Sequence, residues 1–291
     1  LNIFFNIKHM ISVYLQGGLG NQLFQIFACI SYAIEHKIAF QLPLYNQNSK
    51  NPVSPYTTHS HIYRRPTYWS NFLSSLTPFV VDGNFSLKYQ EPHYHYKKIP
   101  KVSKDFCLVG YFQSDRYFKP HLSTILKFIR FDKYKKIVRE KFLPLLKKDT
   151  ISIHFRIGDF KGIKAHSITS YELPEFNIHC LEYIFKQTNK TNYTVLYFHE
   201  DEDKLFVEKE IERYKETFPE CTFIRPKGED WEEMILMSLC HHNILSASSF
   251  GWWGAYLNSN PTKIVCYPEK WFGGKKKCLD DAFPESWIKI V

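Results

Sequence analysis

From residue 150 onward, short apolar runs alternate with longer amphipathic segments, and this rhythm constrains the fold more than any other feature. Each run has the length of a buried strand, and each intervening segment has the length of a helix. The predicted strands are 150–155, 193–199, 221–225, 243–247 and 263–267, and the predicted helices are 176–188, 203–217, 231–242 and 249–258. This alternation predicts a doubly wound parallel sheet.

The first half opens in the same way. Residues 11–15 have the pattern of a short buried strand, a glycine turn follows at 17–20, and residues 21–37 have one apolar helical face. Residues 45–100 are rich in Pro, Ser, Asn, His and Tyr, so we predict an irregular stretch with substrate-facing loops. The 291 residues accommodate two domains of about 150 residues each, which we place at 1–147 and 148–291.

The glycine turn of the first half is a candidate ligand loop. Glycines between a strand and a helix allow close backbone approach, and a helix start favours an anion or a polar sugar, so Gly18, Gly20 and Asn21 are candidate binding residues. A dinucleotide fingerprint would need a third glycine where Leu23 stands. A simple tight turn is the alternative reading.

A second candidate ligand segment lies at the end of the strand 243–247. Ser248 and Ser249 are placed to cap the following helix, whose first N–H groups, around Phe250, point outward and suit a diphosphate. Trp252 and Trp253 lie inside that helix, so we predict that they pack rather than stack on a ligand.

The segment from His154 to Asp159 ends a buried strand, where open α/β sheets bind their ligands. Arg156 presents a planar fork that matches a phosphate. Asp159 either orients that guanidinium or accepts a proton from an acceptor hydroxyl, with His166 as a second candidate base. A purely structural pair of Arg156 and Asp159 is the alternative.

Asp201 and Asp203 form a DxD pattern, which in some transferases holds a metal on a nucleotide diphosphate. An acidic helix start, which the helix dipole favours, explains the same residues. We favour the second interpretation and predict no metal site.

The overall composition limits the classes of binding partner that we expect. The net charge is +9, which attracts phosphates of any kind, but the lysines are scattered, so we do not predict a nucleic-acid stripe. Seven cysteines at irregular spacing, without a CxxC pair, favour reduced thiols and an expected cytoplasmic location. No run approaches the roughly 20 apolar residues of a membrane span, so no membrane insertion is expected from these residues.

Several ordered segments together resemble the alpha-1,2-fucosyltransferases of glycosyltransferase family 11. They span nearly the whole chain, and their order and spacing are specific. The segments are 17–25, 110–118, 154–159, 237–240, 248–258, 268–272 and the closing Trp287.

The resemblance implies a GT-B fold, with two Rossmann-like domains facing each other across a cleft, and an inverting transfer of L-fucose from GDP-fucose without a metal. It implies that Arg156 contacts the donor diphosphate and that His154 and Asp159 occupy the other motif positions. The family often has a second Arg where Ile157 stands and an Asn where Ala247 stands.

The function expected from the resemblance is transfer of fucose to a glycan or small saccharide, with O2 of a galactose-like sugar as the usual acceptor. Fixed positive groups would stabilise the leaving diphosphate. Three alternatives remain open at this stage: a metal-dependent transferase that uses Asp201 and Asp203, a non-catalytic GDP-sugar or glycan binder, and a nucleic-acid binder suggested only by the charge.

Overall fold

The computed structural model describes residues 9–44, 66–83, 85–157, 173–271 and 281–291. These residues divide into two compact units, the first within Leu1–Tyr134 and Cys278–Pro284 and the second within Lys135–Lys277 and Glu285–Val291. Residues 135–147, which the sequence analysis placed in the first domain, belong to the second unit, where Lys141 donates a 2.6 Å hydrogen bond to Glu232.

The first unit contains a four-stranded parallel sheet in the order β2-β1-β6-β5 and a separate parallel pair, β3-β4. The helix α1 packs on β1 because Leu23, Ile26 and Ile30, spaced three and four residues apart, form one buried face. The strands are β1 Met10–Val13, β2 Ala39–Phe40, β3 Leu42–Pro43, β4 Val80–Val81, β5 Lys88–Gln90 and β6 Phe106–Val109. The helices of this unit are α1 Leu19–His36 and α2 Leu122–Phe128, and the next helix, α3 Phe131–Lys141, crosses from the first unit into the second.

The prediction of an irregular stretch over 45–100 is wrong in part. Within its described residues, a 3-10 helix spans Ser74–Phe79, and β4 and β5 each join a sheet. Strands this short have almost no periodicity of their own, and pairing with β6 is what makes β5 a strand.

The second unit contains six parallel strands in the order β9-β8-β7-β10-β11-β12. The strands are β7 Thr150–His154, β8 Thr194–Phe198, β9 Thr222–Ile224, β10 His242–Ile244, β11 Val265–Pro268 and β12 Ile288–Ile290. The connecting helices are α4 Leu173–Thr188, α5 Lys204–Thr217, α6 Asp230–Ser238 and α7 Ser249–Tyr256. The predicted doubly wound parallel sheet is confirmed, and β12 is a strand that the sequence analysis missed.

The direction in which successive strands are added to the sheet reverses between β7 and β10. From β7 the chain moves outward through β8 to β9, then returns to the other side of β7 and moves outward through β10, β11 and β12. In such sheets, ligands bind outside the carboxyl ends of the strands at this switch point. The residues that follow β7 and β10 are therefore the candidates for a ligand-binding site.

The spacing of Asp230 and Glu233 predicts a capping box at the start of α6, with Asp230 as the N-cap. The observed capping box begins one residue earlier. The structure places Glu229 at the cap and Glu232 at the third helical position, and each side chain accepts from the other's backbone N–H. Glu233 does not cap, because its carboxylate is engaged by Arg225 at 2.7 Å.

Two observations concern the membrane and thiol expectations. None of the helices in the described part of the chain is both long and apolar enough to cross a lipid bilayer. Six of the cysteines lie in the same part, and all six are free thiols.

Candidate functional site

A hydrogen bond joins the residues at the ends of the two central strands, β7 and β10, at the switch point of the second unit. Nδ1 of His154, the last residue of β7, lies 2.9 Å from Oγ of Ser246, which follows β10 by two residues. Both side chains are buried, at 7% and 2% exposure. This bond ties together the two strand ends at which a doubly wound sheet binds its ligand.

The helix α7 begins immediately beside His154. Ser248 is its N-cap and accepts a 3.2 Å hydrogen bond from the backbone N–H of Phe250, whose ring centroid lies 5.4 Å from that of His154. A Cβ on Gly251 would lie 3.2 Å from Nδ1 of His154, so this glycine permits the close approach of helix and strand. Ser248, Ser249 and Phe250 are half-buried, as a ligand-facing helix start requires.

A buried amide network holds the far end of α7. Asn258 donates to Oδ1 of Asn243 at 2.8 Å, and Asn243 donates to Oγ of Ser152 at 2.7 Å. Lys263 donates to the carbonyls of Ala255 and Asn258, at the negative end of the helix, and burial lowers the pKa of its ammonium to about 8. These contacts fix the helix whose start forms the candidate site.

Arg156 lies two residues beyond β7, at the same edge of the sheet. Its Nη1 donates a 2.6 Å hydrogen bond to Oε1 of Glu200, which lies two residues beyond the neighbouring strand β8. The Arg156 side chain is 16% exposed and that of Glu200 is 39% exposed. The sequence analysis named Arg156 but not Glu200, because strand neighbours 44 residues apart leave no local signal.

A second guanidinium, that of Arg225, lies at the end of β9, and the sequence analysis did not name this residue either. Arg225 donates to Glu233 at 2.7 Å and to the backbone carbonyl of His199 at 3.1 Å, and its guanidinium carbon lies 6.0 Å from the ring centroid of Phe198. The end of β8 is thus contacted by an arginine from each neighbouring strand. A cation at the end of the predicted strand 221–225 was the available signal.

The electrostatics of the site favour a neutral His154. Burial, together with the charges of Arg156, Arg225 and His199, lowers the pKa of His154 to about 3, and burial is the largest cause. The pKa of His199 is also lowered, chiefly by burial. A neutral imidazole at pH 7 leaves the guanidinium groups as the fixed positive charges here.

The candidate base of the sequence analysis is not placed by the structure. Asp159 and His166 lie outside the described residues. Their assignment remains a prediction.

The DxD residues do not present a common face. Asp201 is exposed and Asp203 is 0% exposed, within a 3-10 helix that leads into α5. Among the residues that the structure describes, no group of three or more His, Cys, Asp or Glu side chains is arranged to hold a metal ion.

The glycine turn of the first unit lies between β1 and α1, in the predicted order of strand, turn and helix. Gly17 adopts φ +79°, which favours glycine, and a Cβ on Gly18 would meet nothing within 4 Å. Oδ1 of Asn21 accepts a 2.8 Å hydrogen bond from Gln113. Gly20 is buried inside the first turn of α1, so its backbone offers a ligand less access than that of Gly18.

A six-stranded doubly wound sheet with an arginine and a helix start at its switch point is an arrangement typical of proteins that bind nucleotides. The family model of glycosyl transferase family 11 matches residues 8–291. The chain therefore belongs to this family, and it is a glycosyltransferase, as the segments quoted from its sequence predicted.

Two curated relatives and one solved structure illustrate the likeness. An alpha-1,2-colitosyltransferase of Escherichia coli is 24% identical, over 95% of this chain and 97% of that protein. A galactoside 2-alpha-L-fucosyltransferase of Caenorhabditis elegans is 21% identical, over 97% and 79%. A mutant of Arabidopsis thaliana FUT1 in complex with GDP superposes with a TM-score of 0.52 at 13% identity, over 89% and 70%. The α/β fold of GT-B type is confirmed.

Proposed function

We propose that this glycosyltransferase moves L-fucose from GDP-fucose to a hydroxyl of a sugar acceptor and forms an alpha-1,2 linkage. The observation that carries the proposal is the position of Arg156 at the switch point of the sheet, two residues after His154, which itself lies beside the start of α7. A guanidinium and a row of helix N–H groups suit a diphosphate.

The residues of the site act on the charge that develops as the donor breaks. The acceptor oxygen attacks the anomeric carbon, the bond from that carbon to the diphosphate oxygen breaks, and GDP leaves with the electron pair. Arg156 and the start of α7 at Ser249 stabilise the leaving diphosphate. In a single displacement of this kind the anomeric configuration inverts, and the acceptor proton passes to a base, for which Asp159 remains our candidate.

We also propose that the reaction needs no metal ion. The positive charge at the leaving group is supplied by Arg156, with Arg225 nearby at the end of β9. Asp203 is fully buried and Asp201 exposed, which does not favour a shared metal.

The relatives support the choice of donor, linkage and acceptor. One is named for colitose and the other for fucose, and both names specify attachment at position 2 or an alpha-1,2 bond. The fucosyltransferase is named as a galactoside enzyme, so we propose O2 of a galactose-like unit as the acceptor. Activated colitose is a second candidate donor, because the colitosyltransferase shares 24% identity over nearly the whole chain.

The test is incubation of the purified protein with isotope-labelled GDP-fucose and a panel of galactosides, with the product linkage read by NMR. We expect a labelled product with an alpha-1,2 bond. Calorimetric binding of GDP without transfer to any acceptor would instead support a non-catalytic binder. Transfer only from activated colitose would change the donor but keep the site.

A further inference from the structure

The guanidinium proposed to bind the donor diphosphate already binds an anion of the protein itself. Glu200 Oε1 accepts from Arg156 Nη1 at 2.6 Å. The carboxylate of Glu200 is 39% exposed, so a ligand that approaches Arg156 meets Glu200 as well. A phosphate oxygen and a carboxylate oxygen make the same kind of charge-assisted bond with a guanidinium.

The backbone that carries Glu200 is fixed on both sides. The carbonyl of the preceding His199 accepts from Arg225 Nη2 at 3.1 Å, and the carbonyl of Glu200 lies 2.8 Å from Nδ1 of His199. The strand β8 pairs with β7 as far as His154. The side chain of Glu200 therefore extends from a rigid base close to Arg156.

We propose that Glu200 competes with the nucleotide for Arg156 and thereby favours release of the nucleoside diphosphate product over loss of the donor. This proposal rests on the proposed function, because it requires a nucleotide diphosphate at Arg156. No bond is made or broken in this step, which exchanges one anion for another on the same guanidinium.

The charges of the two nucleotides give the competition its direction. In the sugar-linked donor each phosphate carries one negative charge, whereas the terminal phosphate of the free diphosphate ionises a second time, with a pKa of about 6. The product is thus the more anionic ligand near pH 7. A fixed carboxylate beside Arg156 repels it more than it repels the donor.

The test substitutes Glu200→Gln, which keeps the shape of the side chain and removes its charge. Calorimetry would measure the dissociation constants of GDP and of GDP-fucose for both proteins at low ionic strength. We expect GDP to bind about tenfold more tightly to the variant and GDP-fucose about threefold more tightly. In the transfer assay, the variant should show a lower donor KM, stronger inhibition by GDP and a lower kcat if product release limits turnover.

The matched control is Glu202→Gln, which removes the same charge at an exposed position two residues along the chain. Its nucleotide affinities should stay within about twofold of wild type, since exposed charges are largely screened. Unfolding midpoints of both variants would establish that each is folded.

The outcomes separate the two proposals. If wild-type protein binds neither nucleotide, the proposed function fails and this inference fails with it. If wild type binds GDP but Glu200→Gln binds it equally or more weakly, Glu200 serves to orient Arg156, and only the competition is overturned. Equal tightening of both nucleotides, or equal gains in the Glu202→Gln control, would also overturn it.

Discussion

Replacement of His154 by asparagine should reduce the amount by which the free energy of unfolding falls between pH 7 and pH 5. Asparagine places an amide close to the position of Nδ1, so it keeps a partner for Ser246, which lies 2.9 Å from Nδ1 in the wild type. It does not titrate, so any proton that wild-type His154 takes up on unfolding is absent from the variant. The two proteins then differ in one titrating group.

The magnitude follows from the shift of the His154 pKa from its usual value of 6.5 to about 3. Since the folded pKa is the lower one, the unfolded chain binds the proton first as the pH falls below 6.5. The stabilisation is therefore complete above pH 6.5 and is lost progressively towards pH 3. At pH 5 the loss is about 2 kcal/mol, because each pH unit corresponds to about 1.4 kcal/mol.

The assay is urea unfolding of both proteins at pH 7 and pH 5, at constant ionic strength. Other titrating groups contribute equally to both proteins and cancel when the two pH differences are subtracted. We expect the free energy of unfolding of wild type to fall by about 2 kcal/mol more than that of His154→Asn. Identical pH differences in the two proteins would show that His154 is not held neutral by burial, and the electrostatic description of the site would be wrong.

Three further predictions concern the site and its support. Arg156→Ala should lower kcat/KM by about a hundredfold, or about 3 kcal/mol, in the labelled-fucose assay while the far-UV circular dichroism is unchanged; near-normal turnover would refute its role at the diphosphate. Gly254→Ala should destabilise the second unit by about 1–3 kcal/mol in urea, because its Cβ would lie 2.8 Å from Cβ of Met237 on α6. Gly18→Ala, whose Cβ would meet nothing within 4 Å, should cost less, because it loses only the preference of an N-cap for glycine over alanine, so equal losses would contradict the packing argument. Transfer should persist in EDTA, and a loss that manganese restores would revive a metal site at Asp201.

Local pattern was sufficient to predict the class of the fold. Periodic burial is a property of neighbouring residues, so β7 to β11 and the helices between them were predictable to within a few residues. The glycine turn, Arg156 and the serines at the start of α7 were also predictable, because each follows directly after an apolar run. Where the local pattern was short, as at β5 and β12, prediction failed.

The sequence by itself determined the alternation of strands and helices in the second unit, the family of the chain, and His154 and Arg156 as site residues. Only the tertiary structure decided their partners: Ser246 for His154 across 92 residues, and Glu200 for Arg156 across 44. Arg225 joins them because β9 lies beside β8 in the sheet. The reason is physical: strand pairing, burial and the pKa of a buried imidazole depend on neighbours in space, which a linear pattern does not contain.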